Sequence, residues 1–275
     1  MSSTMSRVLL AIPLTAAGLN FSCSSSSAPQ PGTPAYYWAA AKETSAANDY
    51  VKTSEHLSKL LARDNEYSAR ARPWLLILTA GMVRGYMDVA DKLEDGVRSK
   101  KADPGGFRRY ISSSRSAAGR LSLQFAEIFM PFQKGKDDPI PLAFSFPSGS
   151  AGPVPELSRA SVGMPLQSTE IEAAQKHAVE RGILLETCRA AGAPDDTAKA
   201  LDLFKSGSAQ VSRAEFLTGM ADSLYQQAQL YDRRKLDDPE KVKIFSNLAL
   251  GALKDAPQSK RTKELSEKIQ KGIKK

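Results

Sequence analysis

Cysteine, histidine and tryptophan each occur only twice in 275 residues. Two cysteines cannot build a disulfide scaffold, and a chain of this length has no need of one to bury a core. The two histidines, His56 and His177, stand neither in an HExxH pattern nor beside a cysteine at metal-ligand spacing, which argues against a His/Cys zinc site. No GxSxG elbow, Walker loop or GxGxxG turn occurs. No catalytic, cofactor-binding or metal-ligating residue is therefore predicted. The carboxylate pairs Glu170 with Glu172 and Asp195 with Asp196 fall at predicted helix starts, where the helix dipole accounts for them without catalysis. His56 lies beside an apolar stripe and reads as a surface or satisfied core histidine, and Cys188 as a buried small residue. Apolar runs are short, and none reaches the ~20 residues that a spanning helix needs. Period-two alternation is nearly missing: only Leu142, Phe144 and Phe146 suggest an extended piece.

What is present begins with an address. Residues 1–22 carry a single charge, Arg7, followed by the apolar run Val8 to Leu19 interrupted by Pro13. That is the layout of a secretory signal. Cys23 comes next, and then SSSSAPQPGTP, a tract with no apolar surface to bury, which reads as a disordered tether.

A basic residue, a short apolar segment, a cysteine and a Ser/Pro tether together resemble a bacterial lipoprotein signal. Asn20, Phe21 and Ser22 stand where that family has Leu, a small residue and Gly or Ala. The resemblance implies that Cys23 carries the lipid and becomes the first residue of an exported, membrane-anchored chain. It also implies that Ser24 directs the chain to the outer membrane, facing the periplasm. The alternative is cleavage of a plain signal and release to the periplasm. With Cys23 acylated, Cys188 is left without an intramolecular partner.

Beyond residue 22 the chain has 37 Lys and Arg against 30 Asp and Glu, a net charge of +7. Residues 254–275 hold eight Lys/Arg and three acids. An exported chain does not meet nucleic acid, so anionic headgroups or an acidic partner suit this basic end; a solvated helix terminus is the plainer reading.

The rest of the chain shows the helical period. Tyr50, Thr53, Leu57, Leu60 and Leu61 share a face, as do Trp74, Ile77, Leu78, Gly81 and Met82, continuing through Tyr86, Ala90 and Leu93. Pro73 predicts a helix start, and Asp103-Pro104-Gly105-Gly106 a break. Phe107, Tyr110, Ile111, Leu121, Phe125, Ile128 and Phe132 form the next stripe, giving about four helices in the N-terminal half. Residues 131–167 hold seven of the sixteen prolines and interrupt the pattern. Thr169 with Glu172 predicts a capping box ahead of Ile171, Ala174 and Ala178, and Ser212 with Glu215 a second ahead of Phe216, Met220, Leu224 and Tyr231. Asp195 predicts a helix start after Pro194. Asp238-Pro239 reads as an N-cap with proline at the first helical position, ahead of Val242, Phe245, Ala249 and Leu253.

Tyr37, Thr53, Leu57, Leu60 and Asn65 resemble a tetratricopeptide repeat, with Thr53 and Asn65 where the family has alanine and proline. Trp74 with Ala90 repeats the first interval, and ALKDAP at 252–257, with Ala249, resembles a closing segment. The expectation is an all-α chain of stacked antiparallel helical hairpins, a tetratricopeptide-like solenoid with a Pro-rich irregular insert. Its divisions are a signal at 1–22, a tether at 23–34, N-terminal repeats at 35–133, a Pro/Gly-rich insert or lid at 134–167, and C-terminal repeats with a basic terminal helix at 168–275. A closed bundle of the same helices is the alternative.

The resemblance implies an interaction or assembly module with a protein or peptide partner in the cell envelope, tied to the membrane through Cys23. Tyr36, Trp38 and Tyr86 are candidate groove residues, though aromatics at helical spacing are more often core. Phe144 and Phe146 are candidates for a built-in lid occupying the ligand's place. Two rivals remain. One is a solute-handling helical lipoprotein, weakly similar to the T components of periplasmic transporters, which needs an enclosed apolar pocket. The other is an envelope enzyme, which needs convergent carboxylates in a cleft.

Overall fold

The computed structural model describes residues 29–194, 196–256 and 259–273. They form an all-α protein with one two-stranded ribbon. Helix α1 (Pro34–Ala46) starts with Thr33 as N-cap, its side chain accepting from the Tyr36 amide, and Pro34 in the first turn. It is joined by a short turn to α2 (Tyr50–Leu60), capped by Asp49, and the two pack as a hairpin.

The third helix, α3 (Ser68–Lys100), runs for 33 residues, about 50 Å at 1.5 Å per residue. The expected start at Pro73 is corrected here, because the helix begins five residues earlier. Asn65 is the cause. Its Nδ2 donates to the Leu60 carbonyl at 2.7 Å and its Oδ1 accepts from the Tyr67 amide at 2.9 Å, while its own amide donates to Ser68 Oγ at 3.0 Å. This turn closes α2 and opens α3 together, so Pro73 costs only one hydrogen bond inside a helix already begun. Lys101, left-handed at φ 50°, and the 3-10 turn at Pro104–Gly106 then reverse the chain into α4 (Phe107–Lys134). Helix α4 continues through Pro131, three residues beyond the expected interruption; Pro131 and Glu127 both face solvent, where water can satisfy the carbonyl left without its donor.

The insert contributes strand β1 (Ile140–Leu142) and helix α5 (Pro155–Ser161). The extended piece therefore lies earlier than Leu142 to Phe146. Its partner, β2 (Ala209–Val211), pairs antiparallel with Ile140 opposite Val211 and Leu142 opposite Ala209. After α6 (Ser168–Ala190) and α7 (Thr197–Leu203) come α8 (Arg213–Ala228), packed on α6, then α9 (Pro239–Lys254) on α8 and α10 (Lys260–Ile273) on α9.

The cap of α6 differs from the expectation. Gln167 is the N-cap and Glu170 the reciprocal partner, its Oε2 accepting from the Gln167 amide at 2.8 Å, whereas Glu172 is exposed. Both Thr169–Glu172 and Gln167–Glu170 satisfy the spacing, and Arg159, 2.8 Å from Glu170, selects the second. The other caps stand as expected: Ser212 accepts from the Glu215 amide, and Asp238 accepts from the Lys241 amide with Pro239 following. Asp196 caps α7 through the Lys199 amide, and Asp195 lies outside the described residues.

Packing centres on α3, which lies against α2, α4, α5, α6 and β1 and also reaches α8. Nearly every residue from Trp74 to Val83 is buried, since neighbours cover the helix on all sides. A main core surrounds its N-terminal half. A smaller one, built on Val89, Leu93, Phe107, Leu157 and Ile171, surrounds its C-terminal half.

Candidate functional site

Three glycines create the site by letting helices touch backbone to backbone. On α3, a Cβ at Gly81 would stand 2.4 Å from Ile183 Cα and one at Gly85 2.6 Å from Val179 Cα, so both face α6 directly. On α8, a Cβ at Gly219 would stand 2.7 Å from the Arg189 carbonyl oxygen of α6. One turn along each helix, the side chains that follow these glycines meet across the seams.

Arg84 Nη1 reaches Glu186 Oε1 at 3.0 Å, and Arg181 Nη1 reaches Asp88 Oδ2 at 3.4 Å. Ser223, four residues after Gly219, donates to Glu186 Oε2. Arg189 donates to the same carboxylate, and its Nε lies 3.0 Å from Asp222 Oδ2. Glu186 is 1% exposed and Arg189 5%. Burial by itself would push the Glu186 carboxyl up, but the Arg189 and Arg84 guanidiniums, with the Ser223 hydroxyl, outweigh it and hold the group below the usual glutamate range. Arg84, Arg189, Glu186 and Asp222 thus form a neutral cluster, with Glu186 and Arg189 buried and Arg84 and Asp222 partly exposed.

The cluster forms one wall of a cavity of about 290 Å³ between α3, α6, α8 and α10. Its polar lining includes Asp91, paired with Lys235 at 2.7 Å, together with Lys268 of α10, whose ammonium lies 5.4 Å from the centre of the Tyr225 ring. Gln227 also lines it. This residue is 2% exposed, and among the described residues neither its amide nitrogen nor its amide oxygen has a hydrogen-bond partner.

The residues singled out by sequence lie elsewhere. Cys23 is outside the described residues. Phe144 is buried, stacked on Trp74 at 5.4 Å between ring centres with only 12° between planes. Rings continue on both sides: Trp38 and Tyr67 beyond Trp74, Phe204 and the half-buried Phe146 beyond Phe144. Phe144 and Phe146 also line a second cavity of about 340 Å³ with Tyr50, Trp74 and Lys42. Trp38 belongs to the core; Tyr36 is half-buried against Tyr37.

Tyr86 lines an open groove of about 530 Å³ between α2, α3 and α4, with Val51, Met82 and Leu121. His56 packs near the Tyr37 ring, and the half-exposed His177 is 4.0 Å from Glu156. Cys188 is buried, and burial pushes its thiol up. Among the described residues, no three His, Cys, Asp or Glu side chains gather closely enough to hold a metal ion, and no helix is long and apolar enough to cross a membrane.

Sequence reasoning passed over Arg84, Glu186, Arg189 and Gln227. Two signals pointed to them: the Gly81-x-x-x-Gly85 spacing, and the charges of Glu186 and Arg189 inside the apolar run ILLETCRAAGA. Neither a family model, nor a curated protein, nor a solved structure matches this chain.

Proposed function

We propose that this chain is a lipid-anchored helical binding module of the bacterial envelope, attached through Cys23 and presenting its folded body to a protein or peptide partner. The observation that carries the reading is the junction at the N-terminus: an apolar segment, Cys23 and a Ser/Pro tract lead directly into a helix capped by Thr33. Three acyl chains on a modified cysteine secure the anchor, since each buried methylene contributes about 0.8 kcal/mol.

The tetratricopeptide-like reading is retained for the parts that fold as successive hairpins, α1 with α2 and α8 through α10. The open groove beside Tyr86 is the surface offered to a partner. Membrane fractionation with intact-mass analysis of the mature N-terminus, wild type beside Cys23→Ser, tests the anchor. The expected result is lipid mass on Cys23 and release of the Cys23→Ser protein; a soluble wild type that begins at another residue overturns the proposal.

A second reading, solute handling, rests on one observation: a half-open cavity of about 290 Å³ between α3, α6, α8 and α10. Its lining mixes Ala80, Val83, Met87 and Tyr225 with charged side chains, so it is not the enclosed apolar pocket that this reading calls for.

A further inference from the structure

Two turns lie side by side at the end of the molecule where α3 finishes. The first, between α3 and α4, belongs to the stretch RSKKADPGGFRR at 98–109, which holds five Lys/Arg and one acid. The second, VGMP at 162–165, joins α5 to α6. Helix α6 runs antiparallel to α3, since Ile183 meets Gly81 and Val179 meets Gly85, and this brings the start of α6 to the end of α3. The contact is close. A Cβ on Gly163 would stand 2.1 Å from Lys100 Cγ and one on Gly105 2.9 Å from the Leu166 carbonyl oxygen, while Ser99 Oγ lies 3.5 Å from the Val162 carbonyl oxygen.

The second turn presents apolar side chains outward. Helix α5 ends in a Schellman motif: the Gly163 amide, at φ 82°, donates to the Ala160 carbonyl at 2.8 Å, and the Met164 amide to the Arg159 carbonyl at 3.2 Å. A residue in Met164's place frequently packs back on the one five before it. Here that residue is Arg159, which is paired with Glu170 at 2.8 Å, and Met164 stays 52% exposed. Val162 is 55% exposed, although Leu157, Ala160 and Leu166 on either side are buried. Apolar residues scattered singly on a surface need no explanation; two flanking one glycine, beside a basic turn, call for one.

The first turn supplies the charge. Arg98 is paired with Glu94, but Lys100, Lys101, Arg108 and Arg109 are exposed and make no ion pair among the described residues. Arg109 lies over the Tyr110 ring and donates to its hydroxyl at 3.0 Å. The one acid, Asp103, accepts from the Arg108 amide at 3.1 Å. Helix α10 is also basic, but its Leu265 and Ile269 are buried and Glu264 and Glu267 stand among its lysines. It offers charge without an exposed large apolar side chain.

We infer that the paired turns dock on an anionic phospholipid surface, with Val162 and Met164 entering the headgroup layer and Lys100, Lys101, Arg108 and Arg109 meeting lipid phosphates. Charge complementarity sets the sign of the partner. The apolar pair sets its kind, because a bilayer interface accepts isolated apolar groups flanked by cations, and lysine stems lie along such groups while their ammoniums reach the phosphates. This contact is separate from the lipid on Cys23 and from the groove beside Tyr86.

The test is co-sedimentation of the full chain, carrying Cys23→Ser so that no lipid anchor contributes, with phosphatidylcholine vesicles and with vesicles containing about one third phosphatidylglycerol. Binding should be at least about tenfold tighter to the anionic vesicles, and should weaken as salt shortens the screening length. Lys101→Gln with Arg108→Gln should weaken it about tenfold, and Val162→Ser with Met164→Ser about as much, with melting temperatures unchanged because all four side chains are exposed. Lys263→Gln with Lys271→Gln removes the same charge from α10 and should leave binding within about twofold. Hydrogen exchange reads the contact directly: amides of 98–109 and 162–165 should slow on anionic vesicles. No change there overturns the inference even if the chain sediments through its N-terminal apolar segment. Equal losses from the turn and α10 charge variants would reduce the effect to net charge and overturn it too. Binding of soluble polyglutamate without binding of vesicles would assign the turns to an acidic polypeptide instead. None of these outcomes depends on whether Cys23 carries lipid.

Discussion

The carbonyl oxygen of Gly81 lies 2.2 Å from the point where a Cβ on Gly182 would sit. Helices α3 and α6 therefore meet with no side chain between them, and the whole polar seam, from Arg84–Glu186 to Asp88–Arg181, is placed by that contact.

Gly182→Ala should accordingly destabilise the protein by about 3 kcal/mol or more. Alanine gains about 1 kcal/mol in helix propensity, but the clash is with backbone that cannot rotate away, and overpacking costs of about 1–3 kcal/mol rise further when the walls are rigid. Urea denaturation checks this against Ser116→Ala on the exposed side of α4, which should stay within about 0.5 kcal/mol of wild type.

Glu186→Gln should cost about 3–5 kcal/mol, because it leaves Arg84 without a carboxylate and Arg189 with Asp222 alone, next to each other in a largely buried place. The pH dependence has a definite sign. The folded protein holds the Glu186 carboxyl below its ordinary 4.5, so its contribution is complete above that value and is lost as pH falls through the lower folded-state value. Denaturation midpoints measured from neutral pH downward should fall for the wild type below about pH 4.5. The slope in that window should be shallower for Glu186→Gln.

Gln227→Leu should stabilise the protein by about 1–2 kcal/mol, since it removes an unpartnered buried amide at nearly constant volume. Chemical denaturation measures it; a loss of stability would mean that ordered water already satisfies the amide.

Phe144→Ala should cost about 3–5 kcal/mol and shift Trp74 emission to the red, as expected for a buried ring removed from a stacked pair. Phe146→Ala, half-buried at the end of the same row, should cost about half as much or less. A removable lid would behave differently: truncating Phe144 would leave stability unchanged and increase dye binding. Denaturation and dye titration of the two variants separate the cases.

Much of the architecture was legible because it rests on local rules. Leu57, Leu60, Trp74, Leu93, Phe125, Phe216 and Phe245 are core residues at positions where the 3.6-residue period places them. Asp238-Pro239 and Ser212-x-x-Glu215 mark helix starts because a cap uses only residues within one turn. Where local rules gave two answers, tertiary contact chose. Arg159 moved the α6 cap to Glu170, and the Asn65 turn made Pro73 an interior residue of α3. Strand β2 left no readable trace, since a three-residue strand has no period of its own and exists only through its pairing with β1.

The sequence alone determined the helical character, most of the core faces, and the caps at Asp238 and Ser212. All of these depend on residues close together in the chain. The tertiary structure decided that α3 would be a shared central helix, that Phe144 would stack on Trp74, and that Arg84 and Arg189 would meet on Glu186. Those relationships join residues up to a hundred or more positions apart, and the polar seam among them arises where glycines on α3, α6 and α8 allow backbones to meet.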